Sequence, residues 1–140
     1  MELNVKKLHP NAVEPLPHSG GNAGIDLTAI AVNITTKYIE YDTGLAIEIP
    51  EGHVGLIYPR SSVTNKDLML KNSTGVIDSS YRGSIKFRFL RTIISEDIYE
   101  VGDRVGQIII MPYPQVTKVN VVEELSSTER GQGGFGSTDT

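Results

Sequence analysis

The sequence predicts an all-β domain, built as a sandwich, jelly roll or barrel. Three observations predict it. Apolar residues alternate with polar ones or fall in short β-branched blocks. Turn-forming clusters recur between the blocks, at Ser19-Gly20-Gly21-Asn22, Asp42-Thr43-Gly44, Pro50-Glu51-Gly52 and Val101-Gly102-Asp103. The best helix candidate spans only Ser61 to Asp67, barely two turns, with Ser61 placed to cap it.

The elements follow in chain order. Glu2 to Leu8 reads as a first strand, and Ile25 to Thr35 as a strand with a break. Leu45 to Ile49 lies between Gly44 and Pro50, and Val54 to Tyr58 follows the turn at Gly52. Ser84 to Leu90 begins after Gly83, and Arg104 to Met111 after Gly102-Asp103. Gln115 to Val122 completes the series. No internal repeat is evident. The last stretch, Ser126 to Thr140, carries four glycines and almost no aliphatic residue, so it cannot bury enough surface to fold alone. Phe135 stands alone among those glycines, and a lone aromatic in such a tail is useful mainly if it docks. The expected division is a β domain over residues 1–125 and a flexible glycine-rich arm over 126–140.

At 140 residues the chain has room for one core. The formal net charge of −4 and pI of about 5.3 argue against a nucleic-acid coat or a binder of anionic membranes. The absence of cysteine excludes disulfides and thiolate metal sites. No apolar run approaches the ~20 residues of a membrane helix, and Met1 to Pro10 has no apolar signal core. A cytoplasmic protein is expected, in a host cell's cytoplasm if the gene is viral. His9, His18 and His53 are scattered without metal-ligand spacing and read as turn or surface residues.

Four segments carry chemistry. In Ala23-Gly24-Ile25-Asp26-Leu27, an acid inside a strand-like pattern must face water or a cation. In Pro59-Arg60-Ser61-Ser62, a guanidinium and two hydroxyls converge at a helix start, which suits an anion or an ordinary capped turn. In the run from Asn72 to Gly83, NSTGVIDSSYRG, Gly75 and Gly83 bracket an expected hairpin. Asp78 within it is a turn acid or a reactive one. In Arg130-Gly131-Gln132-Gly133-Gly134-Phe135-Gly136-Ser137-Thr138, glycines let backbone N–H groups wrap phosphate oxygens. This is no Walker loop, since Gly-Lys-Ser/Thr and a following helix are both missing.

Together these segments, with Gly102-Asp103-Arg104-Val105-Gly106-Gln107, resemble the five motifs of the trimeric dUTPase family, in order and over nearly the whole chain. The resemblance implies a jelly-roll-like β-barrel. It also implies a homotrimer whose swapped C-terminal arm closes a neighbour's active site. The implied activity is Mg2+-dependent hydrolysis of dUTP to dUMP and pyrophosphate, which limits uracil in DNA and supplies dUMP for thymidylate synthesis.

The implied roles transfer residue by residue. Asp78 matches the general base that orients the attacking water, and Asp26 matches the residue that holds Mg2+ through water. Arg60, Ser61, Ser62 and Gln107 match phosphate contacts. Arg130, Gly136, Ser137 and Thr138 match the arm's grip on the distal phosphates, so arginines and a metal ion would supply the cations that an acidic chain must gather locally. Asn72, Gly75, Val76, Ile77 and the backbone of Lys86 match the uracil reader. Tyr81 matches the aromatic packed on deoxyribose, and Phe135 the one stacked on uracil. Two positions depart from the family pattern: Ser62 stands where Gly is usual, and Asp139 follows Thr138.

Two rivals remain. A dCTP deaminase would need a catalytic Glu where Arg88 stands, and Ala-His where Thr74-Gly75 stand; Arg88 stays protonated and cannot replace the acid. A trimeric signalling module could keep the same nucleotide pocket, but an intact Asp78 and arm favour turnover.

Overall fold

The structure, a computed structural model, describes residues 1–93 and 97–137. Among them lie ten strands: β1 (Asn4–Lys7), β2 (Ile25–Thr28), β3 (Ala31–Ile34), β4 (Ile39–Asp42), β5 (Leu45–Glu48), β6 (His53–Tyr58), β7 (Leu68–Leu70), β8 (Gly75–Ile77), β9 (Lys86–Arg91) and β10 (Arg104–Pro112). One sheet has the order β2-β10-β6-β8, a second the order β3-β4-β9-β7, and β1 pairs with β5 alone. Every pairing is antiparallel. No helix among the described residues is long and apolar enough to cross a membrane.

Strand alternation builds the core. In β9, Phe87 and Phe89 point inward while Lys86, Arg88 and Leu90 point out. The two rings stack at 6.4 Å, and Tyr41 of β4 meets Phe89 edge-on at 5.8 Å. Leu27, Ile57 and Ile108 from the first sheet join the same cluster. The sheets approach closely at Gly106 of β10, where an added Cβ would lie 2.0 Å from the Phe87 ring.

Several expectations are corrected. Ser61 to Asp67 forms a 3-10 helix over Ser61–Asn65, and its N-cap is Arg60, without a side-chain cap bond. Gly75 and Gly83 do not bracket a paired hairpin: β8 joins β6 in the first sheet and β9 joins β4 and β7 in the second. The chain therefore crosses from one sheet to the other on each side of Asp78. Gln115 to Val122 forms no strand, and Val116, Val119 and Val121 are 78%, 80% and 97% exposed. A strand needs a partner for its backbone groups, and this segment pairs with none among the described residues.

Candidate active site

The crossing between sheets produces a groove of about 570 Å³. Its walls carry Asn72, Val76, Ile77, Asp78, Tyr81 and Lys86, six residues singled out from the sequence. A tight turn after β7 presents Asn72: Ser73 takes φ 61°, and its N–H donates to the Leu70 carbonyl at 3.1 Å. Gly75 is buried against Ile57, whose side chain leaves no space for a Cβ. Asp78 directly follows β8 at an exposed position, and its carbonyl accepts the Tyr81 N–H at 3.1 Å. The Tyr81 hydroxyl donates to the Ser84 carbonyl at 3.0 Å, which holds its ring across the groove.

The outer face of β9 forms the basic side of this groove. Lys86 and Arg88 donate to Glu40 at 3.2 and 2.7 Å. Burial alone would push the Glu40 carboxyl up, but bonds from Arg88 and Lys86 outweigh it and hold it below the usual carboxylate range. Asp42 behaves alike: burial is opposed by Ser84, the Gly44 N–H and Lys86, and its carboxyl sits low. Lys86 in turn is held above the ordinary lysine value, first by its bond to Glu40. The Arg88 guanidinium also lies 4.3 Å over the Tyr38 ring.

A second cluster forms where β2 pairs with β10. Asp26 takes Arg60 Nε at 2.9 Å on one oxygen and Arg104 at 3.1 Å on the other. Gln107 faces Asp26 across the ladder and donates from its amide to the Pro59 carbonyl at 3.0 Å. A Cβ at Gly24 would lie 1.9 Å from the Gln107 amide oxygen, so a side chain there displaces that amide. Ser61 is exposed beside Arg60, whereas the Ser62 hydroxyl is engaged by Tyr99 at 2.8 Å. None of these residues lines the groove around Asp78.

Among the described residues, 126–137, the arm makes no hydrogen bond to either cluster. Arg130 donates to the Gly133 carbonyl and the Ser137 hydroxyl accepts the Gly134 N–H, so the segment turns upon itself. Phe135 is fully exposed, and Gly136 takes a left-handed φ of 83°. Thr138 and Asp139 lie outside the described residues.

The histidines are tied locally: His9 to the Asn11 N–H, His18 to the Ala23 carbonyl and His53 to the Glu51 carbonyl. Among the described residues no three acids or histidines are grouped to cage a metal. Asp26 keeps lone pairs beyond its two guanidinium bonds, because a carboxylate offers about four acceptor sites. Such a donor set suits a hard cation that retains its waters and takes other oxygens from a ligand.

Sequence reasoning missed Arg104, Tyr38 and the groove role of Arg88. The alternation Lys86-Phe87-Arg88-Phe89 could have revealed the last, since it puts both cations on one face.

Comparison with known proteins is consistent with this geometry. A family model described as dUTPase matches residues 11–139. A deoxyuridine 5'-triphosphate nucleotidohydrolase from Hydrogenobaculum sp. is 42% identical over 144 residues, covering 99% of this chain and 98% of that protein. A Staphylococcus bacteriophage 80alpha dUTPase variant, solved with dUpNHpp, matches with a TM-score of 0.83 at 28% identity, over 97% of each chain. A dUTPase variant from phage phi11 of S. aureus matches with a TM-score of 0.73 at 25% identity, over 89% of this chain and 98% of that one. Its structure reveals the coordination of a structural Mg(II) ion.

Proposed function

The chain belongs to the dUTPase family, and on that premise we propose a dUTP diphosphatase that hydrolyses dUTP to dUMP and pyrophosphate with Asp78 as its general base. The observation that carries this reading is the single groove shared by Asn72, Val76, Ile77, Asp78, Tyr81 and Lys86. It is large enough for a deoxynucleoside and places one carboxylate at its edge.

Asp78 aims a water at the α-phosphorus and accepts its proton. A carboxylate is a weak base, and such a group contributes roughly 10²–10⁴-fold. Positioning and charge neutralisation supply the larger share. Arg60, Ser61 and Gln107 grip the triphosphate, and the fork of Arg60 arrives already oriented by Asp26. Asp26 is the residue to hold Mg2+ through water, and the ion when bound neutralises phosphate charge. Arg130, Gly136, Ser137 and Thr138 of the arm take the distal phosphates, while Phe135 covers uracil and excludes water. Asn72, Gly75, Val76, Ile77 and the Lys86 backbone read the uracil edge; a 4-amino group would offer a donor where an acceptor is needed. Tyr81 leaves no space for a 2′-hydroxyl.

A homotrimer fits the distribution of these parts. Among the described residues the groove, the Asp26–Arg60–Gln107 cluster and the arm do not meet within one chain, and residues 113–137 are almost wholly uncovered. Neighbouring copies would bring them together, with the arm exchanged. The acidic chain has no nucleic-acid or membrane partner in this reading. It works in the cytoplasm, limiting uracil in DNA and supplying dUMP.

The test is a product assay on dUTP, dCTP, dTTP and UTP, with and without Mg2+. Only dUTP should turn over well, with Mg2+, giving pyrophosphate and not orthophosphate. Ammonia release from dCTP would mark a deaminase, and a broad nucleotide profile would defeat the reading of Tyr81. Asp78→Asn should abolish turnover while dUTP binding, followed by calorimetry, survives.

A further inference from the structure

The turn that follows β6 carries two proposed phosphate contacts, Arg60 and Ser61, yet little in it is anchored. Its residues Ser61–Asn65 include none that is fully buried, and its N-terminus has no side-chain cap bond. Val63 packs on the core and Arg60 at its start is held by Asp26, and the Ser62 hydroxyl tie within the turn leads to Tyr99. The Ser62 hydroxyl and the Tyr99 hydroxyl lie 2.8 Å apart, near the start of the turn. Just past its end, Lys66 Nζ lies 5.7 Å over the Tyr99 ring and pairs with Asp97 at 3.2 Å. Tyr99 is itself buried: it is 4% exposed and packs against Tyr41 and Phe89. Its carbonyl also accepts the Tyr41 hydroxyl at 2.6 Å.

We propose that Ser62 is a positioning residue for phosphate recognition. Its hydroxyl binds Tyr99 rather than phosphate, and so fixes the turn at which Arg60 and Ser61 meet the substrate. The inference rests on the dUTP diphosphatase reading. It assigns Tyr99, a core residue outside the groove, as the far end of the same device. Short 3-10 segments have poor internal hydrogen-bond geometry, so an outside tether decides their placement. A second consequence is that the two ends act as one unit, because each hydroxyl is the other's partner.

The experiment compares Ser62→Ala, Tyr99→Phe, their double variant and Ser62→Thr. Tyr99→Phe keeps the ring that fills the core. Each single variant should raise KM for dUTP about three- to tenfold, the size of one net hydrogen bond. kcat should change much less, as expected when ground and transition states lose the same contact. The double variant should be no worse than either single one. Ser62→Thr, which keeps the hydroxyl, should recover most of the affinity. Inhibition by deoxyuridine, which has no phosphate, should be unchanged throughout.

Loss in Ser62→Ala with none in Tyr99→Phe would mean a direct phosphate contact and overturn the proposal. Equal weakening of deoxyuridine and dUTP would also overturn it, since that marks general loosening. Parent protein without dUTP turnover would instead overturn the functional reading on which the proposal stands.

Discussion

Glu40 sits behind the groove with both of its oxygens engaged, one by Lys86 and one by Arg88. Its carboxyl is held low despite burial, as is that of Asp42. A group whose folded value is depressed adds stability above its unfolded value and loses it as pH falls through the folded one. Stability should therefore hold from neutral pH down to the ordinary carboxylate range, and fall below it. Thermal melts of Glu40→Gln across that range should show a flatter acid limb. At neutral pH this variant should also release Arg88 and Lys86 and lower stability by about 1–3 kcal/mol, the penalty for breaking partly buried charged hydrogen bonds. At this scale the sequence was informative wherever a residue's chemistry is local. Asp78, Asn72 and Tyr81 lie within ten positions of one another, and the groove gathers all three. Partners distant in sequence were illegible: nothing in the string joins Arg104 to Asp26 or Ser62 to Tyr99, because those pairings exist only after the strands register.

Two glycines show how elements constrain the site differently. A methyl at Gly24 on the approach to β2 would meet the Gln107 amide oxygen, the far end of a flexible side chain. The amide can swing away from Pro59, so Gly24→Ala should melt close to the parent. Its hydrolysis should fall about tenfold or more through a displaced phosphate contact. A methyl at Gly106 of β10 would enter the Phe87 ring at the irregularity between Arg104 and Gly106, with no space to yield. Gly106→Ala should cost about 1–3 kcal/mol by overpacking and lower the melting temperature by several degrees. Scanning calorimetry alongside a dUTP assay separates the two cases. Most strands could be read because alternation or a short apolar block runs over four or more residues in them. β7 and β8 are three residues each, too short to display a period. β4 buries Ile39, Glu40 and Tyr41 and half-buries Asp42, so its pattern resembles neither a surface strand nor an apolar one. Gln115 to Val122 has strand composition without a strand, since pairing is a property of two segments.

For the molecule as a whole, the packed unit and the working unit differ in extent. The buried core ends with β10, and everything from Tyr113 to Ser137 contributes no fully buried residue. Removing residues 126–140 should therefore leave the melting temperature of the domain nearly unchanged. It should reduce dUTP turnover by about 10²-fold or more, through loss of closure and distal phosphate contacts. Light scattering on the same truncation would report whether assembly survives. The fold class was readable from the string because patterning alone sets it; the way copies meet depends on surfaces that a single chain leaves bare. The uncovered valines of 113–125 have one more effect, on the newborn polypeptide. If the proposed homotrimer forms, another copy screens them; until then they offer a β-prone, unpaired stretch to any passing chain. Orderly assembly then competes with indiscriminate clumping. On the homotrimer reading, slow, cool production should yield more usable protein than rapid synthesis, which would make orphan subunits faster than they find one another.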